Sequence, residues 1–405
     1  MNVGGEIMNR EDFEILNSDV IYFDNAATTF KPNCVVDSVV DYYTKYTSNA
    51  HRGDYDNSFK VDTLYEGVRG KVRNLISCCK DEEIVFTSGT TEGLNMVVFG
   101  FMKYVLKAGD EVILSKAEHA SNILPWIELS HEIGIKIKYV SLNEDLSINY
   151  DSLCNMINSN TKVISLAHIT NTVGDIRDLE RIGELCLENN IYFVVDGAQG
   201  VPHRKIDVVK SNISFLAASA HKMMGPTGVG FLYGKYELLD KMKPLCYGGG
   251  MNNTFEGDGF VEYKSVPTRF EAGTQNIAGV IGMGSAIDYL LEVGYENIEK
   301  TELELRNYLI EKLESVKNIN IYNKNSNSSI VLFNLEDVFA QDTALFLNHY
   351  HICVRAGNHC AKILKDELGI RNTCRISLYF YNTKEEIDEL IKVLSKSDQV
   401  FNVVI

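Results

Sequence analysis

YFVVDGAQGVPHRKIDVVKSNISFLAASAHKMMGPTG, residues 192–228, holds two apolar runs that each end on chemically capable side chains. Tyr192–Val195 and Ser214–Ala217 read as buried strands, because short apolar runs bounded by turn residues suit a sheet covered on both faces. The first closes on Asp196. The second leads into Ser219-Ala220-His221-Lys222, and the turn Gly225-Pro226-Thr227-Gly228 follows. The same pattern recurs outward. Glu83–Thr87, Glu111–Leu114 and Val163–Ala167 read as further strands, and Phe59–Ile76, Thr91–Val105 and Leu179–Asn189 as helices. Strand–helix alternation from Ile21 to about Lys235 predicts an α/β fold with a mostly parallel sheet flanked by helices.

Beyond it the pattern changes. Gly248-Gly249-Gly250 opens a polar stretch to Pro267, read as a hairpin or extended loop. Long helical patterns follow at Ala278–Val293 and Ile298–Val316. The last ninety residues mix strands (Ile330–Asn334, Arg375–Leu378) with helices (Thr343–Tyr350, Lys384–Ser395). This predicts a large α/β domain over residues 20–285 and a smaller α+β domain over 286–405, joined by residues 1–19. No internal repeat is present.

With 405 residues, the chain is long enough to bury a core without disulfide or metal staples. A formal charge of −16 does not steer toward nucleic acid or an anionic membrane, though a local basic pocket for a small anion stays open. The nine cysteines are odd in number and form no CxxC pair, which disfavours a disulfide framework or zinc ribbon. No metal site is expected. The N-terminus lacks the apolar core of a signal peptide, and no apolar run is long enough to span a membrane. A cytoplasmic protein with reduced thiols is expected.

Four local features carry chemistry. A lysine at the end of an apolar strand sits where desolvation lowers its pKa and frees the amine to form a Schiff base. A surface lysine in a turn is the alternative for Lys222. Asp196 ends a strand where parallel sheets bind ligands, and could hold a protonated ring nitrogen, bind a metal or cap a helix. Thr87-Ser88-Gly89-Thr90-Thr91-Glu92-Gly93 lies between a strand and a helix. Its hydroxyls and free N–H groups suit a phosphate, or an ordinary capping turn; it is not a Walker A loop. Last, Val354-Arg355-Ala356-Gly357-Asn358-His359-Cys360-Ala361 puts a cysteine beside Arg and His, where a thiol can hold thiolate character. Arg375, fifteen residues further on, could bind a carboxylate bidentately. The other cysteines read as small core residues, and Cys374 is expected to face away from Arg375. Together, lysine, aspartate, phosphate loop and arginine describe a pyridoxal phosphate site.

At this point the chain resembles the cysteine desulfurases of the class V aminotransferase superfamily, the type II SufS-like group. The likeness runs from Ile21 to about Leu394 through YFDNAATT, NAHRG, TSGTTEGLN, AEHASNILPW, HITNTVG, VDGAQ, SAHKMMGPTGVGFLYG, GGGM, RFEAGTQN, RAGNHCA and the CRISLYFYN block. It implies the pyridoxal phosphate-dependent transferase fold type I, with a seven-stranded sheet in the large domain. It implies that Lys222 carries the cofactor and moves the Cα proton, and that His119 stacks on the ring. Asp196 would pair with the ring nitrogen and Gln199 with the phenolic oxygen. Thr90, Thr91, Ser219 and His221 would hold the phosphate, joined by Thr274 from the second subunit of a homodimer. Asn171, Arg375 and Arg355 would bind the substrate carboxylate, and Cys360 would accept the sulfur.

The resemblance also implies the reaction: L-cysteine to L-alanine, with sulfur passed through Cys360 to an acceptor protein for iron–sulfur cluster assembly. L-Selenocysteine lysis or another class V lyase or aminotransferase reaction is the alternative. Two positions depart from the group. Asn358 stands where most type II members have His. Gln341 replaces the His used with zinc SufU-type acceptors, which favours a SufE-like acceptor. His51 and Arg52 are expected to line the entrance.

Overall fold

The computed structural model describes residues 10–50, 53–370, 372–396 and 400. His51 and Arg52 lie outside these. Fifteen strands follow in chain order. β1 is Ile21–Tyr22, β2 Ile84–Thr87, β3 Glu111–Ser115, β4 Lys136–Val140 and β5 Thr161–Ala167. β6 is Tyr192–Asp196, β7 Phe215–Ser219, β8 Gly230–Gly234, β9 Asn252–Phe255 and β10 Val261–Tyr263. β11 is Ile319–Ile321, β12 Ile330–Leu335, β13 Ile352–Cys353, β14 Arg355–Gly357 and β15 Thr373–Ser377.

The main sheet has seven strands in the order β2-β8-β7-β6-β5-β3-β4. Its centre is apolar and fully buried, as in Phe215, Leu216, Ile164 and Val195. β4 lies at the edge, and its Lys-Ile-Lys-Tyr-Val alternation leaves Lys136 exposed, which discourages pairing with another chain. β8 pairs antiparallel with both β2 and β7; the other contacts in the sheet are parallel. β2 therefore runs with the parallel set, and the C-terminal ends of six strands share one edge. The turns that leave that edge carry the chemistry: Thr87 leads to Thr90, Ser115 to His119, Ala167 to Asn171, Asp196 to Gln199 and Ser219 to Lys222.

The helix expected at Thr91–Val105 is not uniform. Thr90–Asn95 is α-helical, Met96–Met102 widens to a π-helix, and Lys103–Val105 returns to α. Within the widened turn Gly100 lies against the Lys243 backbone: its carbonyl accepts Lys243 N–H at 2.9 Å, and a Cβ there would meet the Lys243 carbonyl at 2.6 Å. The Gly248–Pro267 stretch forms the antiparallel hairpin β9–β10.

The second sheet is four-stranded and antiparallel, in the order β11-β12-β15-β14. Leu305, Leu309 and Leu313 on the helix Tyr295–Leu313 cover it, with Phe346 and Leu390 from two later helices. The N-terminal segment is tied to this part of the chain. β1 pairs with β13, and Asp24 bridges to Ser377. Phe13 packs on the rings of Tyr289, Phe380 and Tyr381. The boundary expected at 285 falls inside the unbroken helix Ile277–Val293, whose interior is buried; the chain turns by 73° at Gly294, between this helix and Tyr295–Leu313. Among the described residues no single helix is long and apolar enough to cross a membrane.

Candidate active site

One cleft gathers residues from both sheets. Of the residues singled out from sequence, twelve line it. Thr90, Thr91, Ser219 and His221 stand with Lys222, Asp196 and Gln199; His119, Asn171, Arg355, Cys360 and Arg375 complete the set. Thr274 does not. It is exposed, and its hydroxyl lies 3.4 Å from Asn49 Nδ2.

The floor is the sheet edge. Asp196 is buried and accepts Ala198 N–H at 2.9 Å. Burial raises its pKa; the bond from Ala198 and the charges of Lys222 and Arg177 oppose the shift. No cation lies within ion-pair distance of it among the described residues, so the carboxylate is set to take an N–H donor from a ligand. Lys222 sits in a short turn after β7. Burial lowers its pKa to about 8, helped by Arg375 and Arg355 and resisted by Asp196 and Cys360.

His119 faces the same space. Its Nδ1 accepts Ser121 N–H at 3.1 Å, which leaves the proton of the neutral ring on Nε2. Burial, then the charges of Lys222, Arg355 and Arg375, lower its pKa to about 4, so the ring is neutral at physiological pH. Gln199 donates one Nε2 hydrogen to the Ala26 carbonyl at 2.7 Å and keeps the other.

The anion end is built from hydroxyls. Ser219 Oγ lies 2.8 Å from Thr90 N and 2.8 Å from Thr90 Oγ1, and Thr91 Oγ1 lies 2.8 Å from Ser121 Oγ. Gly89, at φ +147°, permits this closeness: a Cβ there would come within 2.9 Å of Ser219 Oγ. These donors suit a phosphate, and with the free carboxylate of Asp196 and the desolvated amine of Lys222 they fit pyridoxal phosphate.

The opposite wall comes from the second sheet. Arg355 and Arg375 are direct cross-strand neighbours. Arg375 is buried; its Nη1 donates to the Asn171 carbonyl at 2.8 Å and its Nη2 to Asp24 Oδ1 at 2.7 Å. Cys374, next to it, faces the other way into the apolar core, with Sγ 3.1 Å from the Ala340 carbonyl. Cys360 is exposed and takes φ +58°, with His359 at +51°. Two left-handed non-glycine residues in a row need external support. Ala120 N–H donates to the Cys360 carbonyl at 2.9 Å, and Asn171 Nδ2 to the His359 carbonyl at 2.6 Å. The His359 ring is buried with Nε2 3.0 Å from the Thr373 carbonyl.

Three groups were not singled out from sequence. Ser121 joins His119 to Thr91. Asp24 holds Arg375. Beneath His119, Glu118 and Arg177 form a fully buried ion pair, and both grip the Ala167 peptide: Glu118 Oε2 accepts its N–H at 2.8 Å and Arg177 Nη1 donates to its carbonyl at 3.1 Å. This fixes the end of β5 beside the Asp196 strand.

A fold type I sheet edge with this donor set defines a pyridoxal phosphate enzyme. The chain belongs to the aminotransferase class-V family, whose pattern matches residues 21–390. It is 40% identical over 390 residues to a probable cysteine desulfurase of Halalkalibacterium halodurans, covering 96% of each chain. Its fold matches the apo cysteine desulfurase of Thermococcus onnurineus at a TM-score of 0.91 and 34% identity, covering 98% of each chain. It matches the cysteine desulfurase CsdA of Escherichia coli equally well, at a TM-score of 0.91 and 34% identity over the whole of both chains.

The lowered Lys222 pKa makes cofactor loading a pH-dependent step. The neutral amine is the nucleophile, and its fraction grows as pH rises through the pKa. The rate at which apoprotein takes up pyridoxal phosphate is expected to rise with a midpoint of about 8, not the ordinary 10.5. Stopped-flow absorbance of the bound cofactor checks this; a midpoint at the ordinary lysine value would contradict the desolvated site.

Proposed function

We propose that the chain is a cysteine desulfurase that converts L-cysteine to L-alanine and retains the sulfur on Cys360. The observation that carries this reading is the meeting, in one cleft, of Lys222, Asp196, the carboxylate-binding Arg375 and an exposed Cys360.

Pyridoxal phosphate, when bound, supplies an electron-poor ring that draws off the electrons left at Cα when its proton goes. Asp196 would keep the ring nitrogen protonated, and His119 would be its neutral ring partner. Thr90, Thr91, Ser219 and His221 would hold the phosphate, and Gln199 would give its free amide hydrogen to the phenolic oxygen. Arg375, Arg355 and the second Nδ2 hydrogen of Asn171 orient the substrate carboxylate. Lys222 Nζ takes the proton from Cα. Cys360 Sγ then attacks the substrate sulfur; the S–S bond forms as the Cβ–S bond breaks, and the electron pair passes to carbon. The thiol sulfur is oxidised to sulfane level and Cβ is reduced to a methyl group. L-Cysteine and a thiol thus become L-alanine and a persulfide, with atoms and electrons balanced.

An acceptor protein then removes the sulfane sulfur, and iron–sulfur cluster assembly is the destination we favour. Gln341 is exposed on the helix Ala340–His349 and offers an amide where zinc exchange needs an imidazole, which supports a SufE-like acceptor over a zinc SufU-like one. Thr274 lies outside its own chain's cleft, which supports a homodimer in which each subunit completes the other's phosphate site. The cytoplasm is the compartment we propose.

The test is single-turnover chemistry. Loaded protein mixed with one equivalent of L-cysteine is expected to yield one alanine and one persulfide on Cys360, located by mass spectrometry of the peptide. Alanine without a protein persulfide, or pyruvate in its place, would overturn the reading.

A further inference from the structure

We propose that Asp24 is a positioning residue for Arg375, holding the guanidinium so that its free N–H fork meets the substrate carboxylate. This rests on the reading of Arg375 as the carboxylate binder.

A guanidinium has five donors in one plane. Arg375 spends one hydrogen of Nη2 on Asp24 Oδ1 at 2.7 Å and one of Nη1 on the Asn171 carbonyl at 2.8 Å. Each nitrogen keeps a second N–H. These N–H groups remain for the two oxygens of a carboxylate, and Nε–H is buried without a partner among the described residues. Asp24 meets Arg375 through one oxygen only, at Nη2. It therefore offsets the buried charge in the free enzyme without covering the fork. That offset matters, because burial disfavours the cation and the neighbouring Arg355 adds to the effect, while Asp24 opposes both.

Asp24 is itself held firmly. It bridges to Ser377 on β15, two residues from Arg375. Its carbonyl accepts Ala27 N–H at 3.0 Å and Tyr22 Oη–H at 3.1 Å. The following residues are fastened to the same strand: Asn25 Nδ2 donates to the Ser377 carbonyl at 2.8 Å and Ala26 N–H to Ser377 Oγ at 2.9 Å. The N-terminal segment is thus part of the substrate site, and selection for an α-carboxylate is the property Asp24 confers.

The test compares two amines on protein loaded with pyridoxal phosphate: L-alanine, and ethylamine, which lacks only the carboxylate. Affinities are read by calorimetry and folding by thermal melting, for the wild type, D24A, D24N and R375A. D24A is expected to weaken L-alanine by about tenfold or more and ethylamine by less than about twofold, with D24N, which keeps the accepting oxygen but loses the charge, falling between D24A and the wild type. Equal loss for both amines in D24A would overturn the proposal by showing a general disturbance, as would no loss for either. If R375A discriminates between the amines and D24A does not, the role of Asp24 falls alone. If R375A does not discriminate, the carboxylate role of Arg375 falls with it.

Discussion

Replacing Lys222 by alanine is expected to lower turnover of L-cysteine by about 10³-fold or more, since a positioned proton transfer alone contributes roughly 10²–10⁴-fold. The size of the effect follows from the place of the amine. Lys222 sits in the turn after β7, in a cleft that pulls its pKa down to about 8, so about a tenth of the group is neutral base at pH 7 and about half at pH 8. Neither histidine of the cleft is a strong substitute base. His119 has its pKa lowered to about 4, and its Nδ1 is occupied by Ser121 N–H. His221 is likewise lowered, to about 4, by burial first and then by Lys222 and Lys31. The substitution leaves the hydroxyls of Thr90, Thr91 and Ser219 in place, so the variant should still bind pyridoxal phosphate without a covalent link. Measuring bound cofactor beside alanine formation separates anchoring from proton transfer. A variant that holds the cofactor and makes alanine within tenfold of the wild-type rate would remove Lys222 from the chemistry.

Lys222 and Asp196 were legible in the sequence because each ends an apolar run, and a polar group placed there faces a ligand by the geometry of the sheet. Cys360 was legible because a glycine-bounded loop with Arg and His marked it off from the other cysteines. Asp24 was not. It stands in a block whose residues were quoted without roles, and its meaning comes from Arg375, 351 positions away. Glu118 and Arg177 are 59 residues apart and look like ordinary surface charges until both reach the Ala167 peptide. The antiparallel direction of β8 was hidden for a similar reason: Gly230–Gly234 is as apolar as its parallel neighbours, and direction is set by the tight return from β7, not by composition. The π-helix at Met96–Met102 sets Gly100 against the Lys243 backbone, a contact that no helical periodicity records. For Asp24, the Glu118–Arg177 pair and Gly100 the partner lies far along the chain; for β8 what is hidden is the direction of a local return.

Substituting Cys360 by serine is expected to abolish the protein persulfide and to cut alanine formation from L-cysteine by roughly a hundredfold or more, because a hydroxyl is a far weaker nucleophile than a thiolate. The substitution is clean. The loop is held by its main chain, through Ala120 N–H on the Cys360 carbonyl and Asn171 Nδ2 on the His359 carbonyl, and by the His359 ring against Thr373. Only Sγ is lost, and the left-handed backbone at 359 and 360 keeps its supports. Binding of L-alanine should therefore stay within about twofold of the wild type, since Arg375 and its partners are untouched. Selenium leaves carbon more readily than sulfur, so L-selenocysteine is expected to lose less activity in the same variant. The ratio of the two losses tells how far the wild-type reaction depends on attack by Cys360. If Cys360→Ser forms alanine from L-cysteine at within threefold of the wild-type rate, sulfur leaves without the thiol. The cleft would then be that of a lyase, with Cys360 a bystander on its rim.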